Sequence, residues 1–386
     1  MNRRERSGIV GIGIAGPFRH QARSGLELSA QAFQSALADA GLERGQIDGL
    51  IVNIGGPAGP DHDQFAKFTG MNVSAAFQTW AHGRFTGSCI QLADLMLGAG
   101  LATHVACVYG YHLDSDAIGG AAWKGWAEEN RLGGGPHGEE PAIGLTAPIS
   151  GAALATRLYC ERYGVESSRL STVACGLRRN ASTNPSALYR TLLTTEEYLA
   201  SPMIVDPLRR FDSAPVTEGG ACVIVSRDAK TLGSGRPVYV LGYQAIPAGP
   251  EEFVWARPGL GIGQQTVDLP FEEPAVFARS GVTRADVDLF YTYDAFSPLV
   301  WFALERFGYA AYGSAPDYLD AEGLTRDARL PINLNGGMLS EGHLSAWGHI
   351  IDAVRQLRGE AGDRQARHAR HALWGACYGD AVMFAA

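Results

Sequence analysis

A layered α/β fold made of two related halves is predicted by three features of this chain. Apolar segments alternate between strand and helix periodicity, one such unit recurs late in the sequence, and 49 glycines are spread through 386 residues. The length and a hydrophobic content of 46% allow a large core of two or more domain-sized units. The glycines follow no Gly-X-Y period and no Pro/Ser tract, so they point to tight turns and close backbone packing.

Gly8 to Ala15 is a short apolar run suited to a buried strand, and Leu26 to Ala40 carries apolar residues at helical spacing before Gly41. Ile47 to Ile54 reads as a second strand. Ser88 to Leu101 reads as a very apolar helix and Thr103 to Tyr109 as a strand of small and β-branched residues. Such alternation argues for layers. Gly41 to Val52 then matches Gly281 to Thr292: in each copy a glycine ends a helix, an arginine turn follows, and Asp48 or Asp288 precedes an apolar strand. The next helix and strand recur as well, from Ala93 to Tyr109 and from Ala346 to Val382, so two halves of related βαβ topology are expected. Between the repeats lie two irregular stretches suited to a lid, a partner surface or ordered packing, Leu113 to Ser150 with Trp123 and Trp126, and Gly242 to Gln265.

Charge and cysteine usage exclude several function classes. The 32 basic and 40 acidic residues give a net charge of −8, against a nucleic-acid footprint. No apolar run approaches the ~20 residues that span a bilayer, and the segment after Met1 lacks a cleavage signature, so a soluble cytoplasmic protein is expected. The six cysteines are too scattered for a disulfide framework or a zinc site, and His112 to Asp116 reads as a polar loop, so no metal site is expected. Gly11-x-Gly13-x-x-Gly16 satisfies the dinucleotide fingerprint as a string, but Pro17 to His20 stand where the helix must begin and no acidic residue ends a second strand at the required distance.

Three segments of the second half gather residues able to move protons: Tyr291 to Ser297, Asn333 to His343, and Gly375 to Asp380. Loops at strand ends of layered α/β folds are where ligands and catalytic groups collect, and three together predict an active site. The run Asn333-Leu334-Asn335-Gly336-Gly337-Met338-Leu339-Ser340-Glu341-Gly342-His343 resembles the Asn-x-x-Gly-Gly and Gly-His-Pro loop of thiolases, and Tyr293-Asp294-Ala295-Phe296-Ser297 resembles their His/Asn-[Asp/Glu]-x-Phe loop. Asn184-Pro185 through Arg190, Glu196 through Pro202, Asp206 through Asp212 and Thr217 through Ala221 are similar to the sterol-carrier/lipid-transfer-protein branch of that superfamily. The resemblance extends from Ile9 to Met383. It implies a thiolase fold, two pseudo-repeated βαβαβαββ halves in a five-layer α-β-α-β-α arrangement, with an N-terminal half over 1–232 that includes a loop region over about 111–200 and a C-terminal half over 233–386.

The departures from the thiolase pattern direct the functional expectation. The position of the acylated cysteine falls at Gly83 or Arg84, neither of which forms a thioester; Leu344 replaces the proline after the histidine, and Tyr293 replaces the Asn/His. Loss of the nucleophile with the enolate-stabilising loops kept resembles the steroid side-chain-cleaving aldolases, and implies a carbon-carbon lyase. Its substrate is a β-hydroxyacyl-CoA, with coenzyme A present as part of the substrate and no bound cofactor. The resemblance also implies a homodimer and a small zinc-ribbon/OB-fold companion protein. Retro-aldol cleavage needs a base for the hydroxyl proton, donors for the thioester enolate and an acid for its α-carbon. Tyr293 is expected to serve as base or acid at the hydroxyl, with His343 as donor to the thioester oxygen. Tyr378 and Tyr243 are candidates for the remaining proton transfer, and Asp294, Asn335, Gly336, Gly379 and Cys377 for oxyanion or loop support. A phenol of pKa ~10 is a poor base unaided, so a hydrogen-bonded Tyr/His pair is required. Two alternatives stay open: an acyltransferase or thiolase that uses Cys89 or Cys377, and a thiolase-like subunit without catalysis.

Overall fold

A computed structural model describes residues 7–19, 23–54, 60–80, 84–112, 145, 147–230, 236–261, 263–264 and 268–386. Most of the Leu113 to Ser150 stretch, Gly83 and the position 232/233 that separates the expected halves lie outside these residues. The first half contains β1 (Gly8–Phe18), α1 (Gly25–Ala40), β2 (Gly49–Ile54), α2 (His62–Thr69), β3 (Ala75–Trp80), α3 (Arg84–Gly98) and β4 (His104–Tyr111). Then come α4 (Pro148–Tyr163), α5 (Ser171–Ser182), α6 (Thr195–Ala200), the short hairpin of β5 (Met203–Val205) and β6 (Leu208–Arg209), and β7 (Glu218–Ser226). The second half contains β8 (Val238–Gln244), α7 (Ala275–Ser280), β9 (Leu289–Tyr291), α8 (Pro298–Arg306), α9 (Ala315–Glu322), α10 (Gly337–Ser340), α11 (Trp347–Arg358), β10 (His371–Gly375) and β11 (Ala381–Ala385).

The glycines of β1 exist for packing. A Cβ on Gly13 would lie 2.7 Å from the Ala36 amide nitrogen and one on Gly11 2.8 Å from the Ala40 Cβ, so α1 rests directly on the strand backbone. Phosphate binding has no place there, because α1 begins only at Gly25, fixed by a capping box in which the Ser24 hydroxyl and the Glu27 carboxylate each accept from the other residue's amide. Helix α3 starts a turn before the expected Ser88 and stops at Gly98; Gly100, at φ +73°, turns the chain so that the Leu101 amide donates back to the Met96 carbonyl.

Both halves repeat one sheet pattern. The first runs β3-β2-β4-β7-β1, the second β9-β10-β11-β8, and a short antiparallel contact of Gly8 with Tyr239 and Ile9 with Val238 joins β1 to β8 in a nine-stranded sheet. The bridge of Phe290 to Ile332 takes the place that β3 holds beside β2. The repeated aspartates do one job twice. Asp48 accepts from the Thr103 and His104 amides at 2.9 and 2.8 Å at the start of β4, and Asp288 accepts from the Arg370 and His371 amides at 2.8 and 3.1 Å at the start of β10.

Alternation along the strands divides the core. Val10, Leu50, Val52, Ala106, Val108 and Ile224 face α1 and α2, whereas Ile9, Ile51, Val105, Cys107 and Val223 face inward with the apolar side of α3. Helix α3 touches β2, β4 and β7 on one side and β11 on the other, α11 likewise lies between β1 and β7 and the strands β9 and β10, and α7 covers β8 and β11 from outside. The result is the α-β-α-β-α layering of the thiolase fold. No helix among the described residues is long and apolar enough to cross a membrane.

Candidate active site

The end of β9 is fastened to the glycine-rich loop by one asparagine. Asn333 takes a left-handed φ of 46°, and its side chain brackets Thr292, accepting from its amide at 2.8 Å and donating to its carbonyl at 2.9 Å. That clamp sets the direction of the next residue, Tyr293. Its hydroxyl lies 3.3 Å from His343 Nε2, with the two rings nearly perpendicular. His343 is held in turn by its backbone, through a bridge to Val216 and a 2.8 Å bond from the Thr217 hydroxyl to the His343 carbonyl. From the β10–β11 turn, Tyr378 packs edge-on against Tyr293 with ring centroids 5.8 Å apart. Three of the residues expected to do chemistry therefore converge.

A buried polar network supports them from below. Asp294 is fully buried; it accepts from His349 Nε2 at 2.7 Å and from the Met338 amide at 3.0 Å, which caps the first turn of α10. The Asn335 amide nitrogen contacts His349 Nδ1 at 3.1 Å and donates to Glu341 at 2.5 Å, and Asn184 donates both to the Asn335 carbonyl at 2.7 Å and to Glu341 at 2.9 Å. Gly336 and Gly337 turn with φ of 103° and 66°, and a Cβ on Gly337 would overlap the Asp294 carboxylate. Asp294, Asn335 and Gly336 thus stand in the support of the loop. Sequence reasoning missed His349 and Glu341 as members; the signal was a second histidine and a carboxylate close to His343 in the chain.

Burial sets the charges. It depresses the His343 imidazole to about 4, so the ring is neutral at pH 7. It raises Glu341, and it raises Asp380 to about 7. Cys89 lies inside α3 with no exposed surface, its thiol pushed up to about 12 and contacting the Thr79 hydroxyl at 3.3 Å. Burial also pushes Cys377 well above the ordinary thiol range. In both, burial favours the thiol over the thiolate that nucleophilic catalysis needs.

Two expected residues are placed for other contacts. Tyr243 sits on β8 with its hydroxyl bonded to the Asp94 carboxylate of α3, which also accepts from the Ser7 hydroxyl at 2.5 Å, and burial raises the phenol to about 12. The Gly379 amide donates to the Ala376 carbonyl at 2.8 Å and the Gly379 carbonyl accepts from Gln244 at 2.5 Å, so both backbone groups close the β10–β11 turn. Among the described residues no group of His, Cys, Asp and Glu is arranged to hold a metal ion.

Residues 273–383 match the family described as thiolase C-terminal domain-like. The repeated halves and the loop site agree with that match to a thiolase-type C-terminal unit. The chain is 28% identical over 363 residues to the steroid side-chain-cleaving aldolase of Thermomonospora curvata, which covers 91% of this chain and 90% of that protein. It is also 28% identical, over 91% of both chains, to the 17-hydroxy-3-oxo-4-pregnene-20-carboxyl-CoA lyase of Mycobacterium tuberculosis. Among solved structures, the Ltp2-ChsH2(DUF35) aldolase superimposes with a TM-score of 0.81 at 26% identity, covering 99% of this chain and 98% of that one.

Proposed function

We propose that this protein is a thiolase-like aldolase, a carbon-carbon lyase that cleaves a β-hydroxyacyl-CoA into a shorter acyl-CoA and a ketone or aldehyde. Its place is in the side-chain degradation of a steroid or a similar lipid or aromatic acid. The observation that carries the reading is the Tyr293–His343 pair, set in thiolase-type loops, in a chain whose candidate cysteines Cys89 and Cys377 are buried with their thiols pushed up. The two relatives named for aldolase and CoA-lyase activity, similar over nine-tenths of the chain, support the same reaction class.

In this reading the β-hydroxyl loses its proton, the bond between the α- and β-carbons breaks with its electrons passing into the thioester enolate, and the α-carbon is reprotonated. Tyr293 exchanges a proton at the substrate. His343 donates to the thioester oxygen, and a neutral imidazole suits that task because it hydrogen-bonds the developing oxyanion while remaining uncharged. Tyr378, packed on Tyr293, takes the remaining transfer in preference to Tyr243, whose hydroxyl is engaged by Asp94. Coenzyme A enters as part of the substrate. Residues 1–232 and 233–386 form the two thiolase halves, with a loop region over about 111–200. The protein works in the cytoplasm as a homodimer with a small zinc-ribbon/OB-fold companion; for the existence of a companion, the double name of the similar Ltp2-ChsH2(DUF35) aldolase is the support.

The test is product identification by mass after incubation of the chain, alone and with a companion of that type, with β-hydroxyacyl-CoAs, and separately with β-ketoacyl-CoAs plus free CoA. Carbonyl release from the hydroxy esters without added CoA is the expected result. CoA-dependent cleavage of the keto esters, with a trapped acyl-cysteine, would return the protein to the thiolases.

A further inference from the structure

The Tyr293–His343 pair leaves one proton without an acceptor. Cleavage begins with removal of the β-hydroxyl proton, yet a phenol is weakly acidic and its anion scarce near neutrality, and His343 is held neutral and weakly basic. Another group must take that proton. Among the described residues, the turn between β10 and β11 offers one, Asp380.

Asp380 ends the β10–β11 turn, two residues beyond the Tyr378 ring that packs on Tyr293. It has no exposed surface. Its Oδ2 accepts from Trp374 Nε1 at 2.9 Å and lies against Gly87 in the first turn of α3, where any side chain would collide with the carboxylate and with the indole nitrogen, 2.6 Å from the ideal Cβ position. The carboxylate is thus fixed by an indole on one side and a bare helix backbone on the other. Its second oxygen, Oδ1, is equally buried and has no hydrogen-bond partner among the described residues. A buried carboxylate oxygen without a donor is unfavourable and calls for an explanation, and an arriving hydroxyl supplies one.

We propose that Asp380 is the general base of the lyase reaction and takes the substrate's β-hydroxyl proton on Oδ1. This inference rests on the aldolase reading above, assigns Tyr293 to the acid side of it, and gives the remaining transfer to Asp380 in place of Tyr378, whose phenol is as weak an acceptor as Tyr293 and is left to pack on the Tyr293 ring. The O–H bond breaks toward Asp380 as the carbonyl forms at the β-carbon. The Cα–Cβ bond gives its electron pair to the thioester enolate, and Tyr293 protonates the α-carbon. Asp380 then releases its proton to water and Tyr293 regains one, so no proton is consumed overall. Burial raises the Asp380 carboxyl to about 7, the range in which one group both accepts and releases protons in neutral solution. The charged and titratable groups around it are Arg306 of α8, whose guanidinium meets Gly379 and pairs with Glu252 at 2.8 Å, and the Cys377 thiol; Trp374 from β10 and Gly87 from α3 add no charge.

The experiment is a pH profile of kcat/KM for hydroxyacyl-CoA cleavage by the full chain with its companion. The wild type is expected to show an acid limb near pH 7. Asp380→Asn is expected to lose that limb and to lower kcat about 10²–10⁴-fold, with its thermal midpoint at pH 5 unchanged. Trp374→Phe removes a hydrogen bond that favours the carboxylate, so its limb is expected to move to higher pH. An Asp380→Asn enzyme that keeps both the limb and its rate overturns the proposal. If that variant does not fold, an unmoved limb in Trp374→Phe overturns it instead. A wild type that cleaves no hydroxyacyl-CoA removes the aldolase reading and this inference together, and is recognised because wild type and variants are then equally silent.

Discussion

His343 shows how one side chain's surroundings decide its chemistry. The folded ring titrates at about 4 against 6.5 for a free histidine, so as pH falls through that interval the unfolded chain binds the proton first and stability is lost. Asp380 acts in the opposite sense: its folded carboxyl, at about 7 against 3.8, holds a proton that the unfolded chain releases, so its contribution declines as pH rises across that interval. The two windows overlap, and only variants separate them. His343→Gln is therefore expected to narrow its thermal-midpoint difference from the wild type on going from pH 7 to pH 5. In the companion-bound enzyme, Tyr293→Phe and His343→Ala are each expected to lower kcat for hydroxyacyl-CoA cleavage by about 10²-fold or more. Activity unchanged in both would identify the chain as a silent subunit.

At the level of elements, α1 and β1 illustrate how a string can mislead and its physics still be recoverable. Gly11-x-Gly13-x-x-Gly16 was legible as a glycine pattern, and its failed context argued against a nucleotide site; what it does is let α1 lie on the strand. Gly13→Ala places a methyl against the Ala36 amide, which overpacks the layer, and a destabilisation of about 1–3 kcal/mol is expected in the denaturant midpoint with the slope unchanged. The strands β1, β2 and β4 and helix α1 were readable because burial on both faces and helical periodicity leave direct marks in the sequence. The boundaries of α3 were not, since its first turn is stabilised by packing of Gly87 against Trp374 and Asp380, residues almost three hundred positions away.

Over the whole molecule, the repeated aspartates are the clearest sign of the duplication. Asp48 and Asp288 each hold the opening amides of the neighbouring parallel strand, in separate halves of the sheet. Replacing either by alanine leaves those amides without their acceptor and is expected to destabilise the protein by about 1–3 kcal/mol. The double variant is expected to lose about the sum of the two, because the sites share no partner. A loss much greater than the sum, read from unfolding curves, would show that the halves fold as one coupled unit.

The reach of the sequence follows from the range of the forces involved. Alternation, glycine stops and the duplicated Gly–Arg–Asp unit are local patterns, and they sufficed for the layered halves and the three loops; the expectation of a lost nucleophile at Gly83 or Arg84 rests on the resemblance to thiolases instead. Tyr293, His343 and Tyr378 were legible as candidates because unusual residues in strand-end loops stand out. What required the folded chain was everything set by burial: the neutrality of His343, the raised thiol of Cys89, the raised phenol of Tyr243 beside Asp94, and the raised carboxyl of Asp380. A residue's distance from water depends on segments that the chain brings together from far apart, and desolvation, the largest cause of each of those four shifts, leaves no mark in the order of the amino acids.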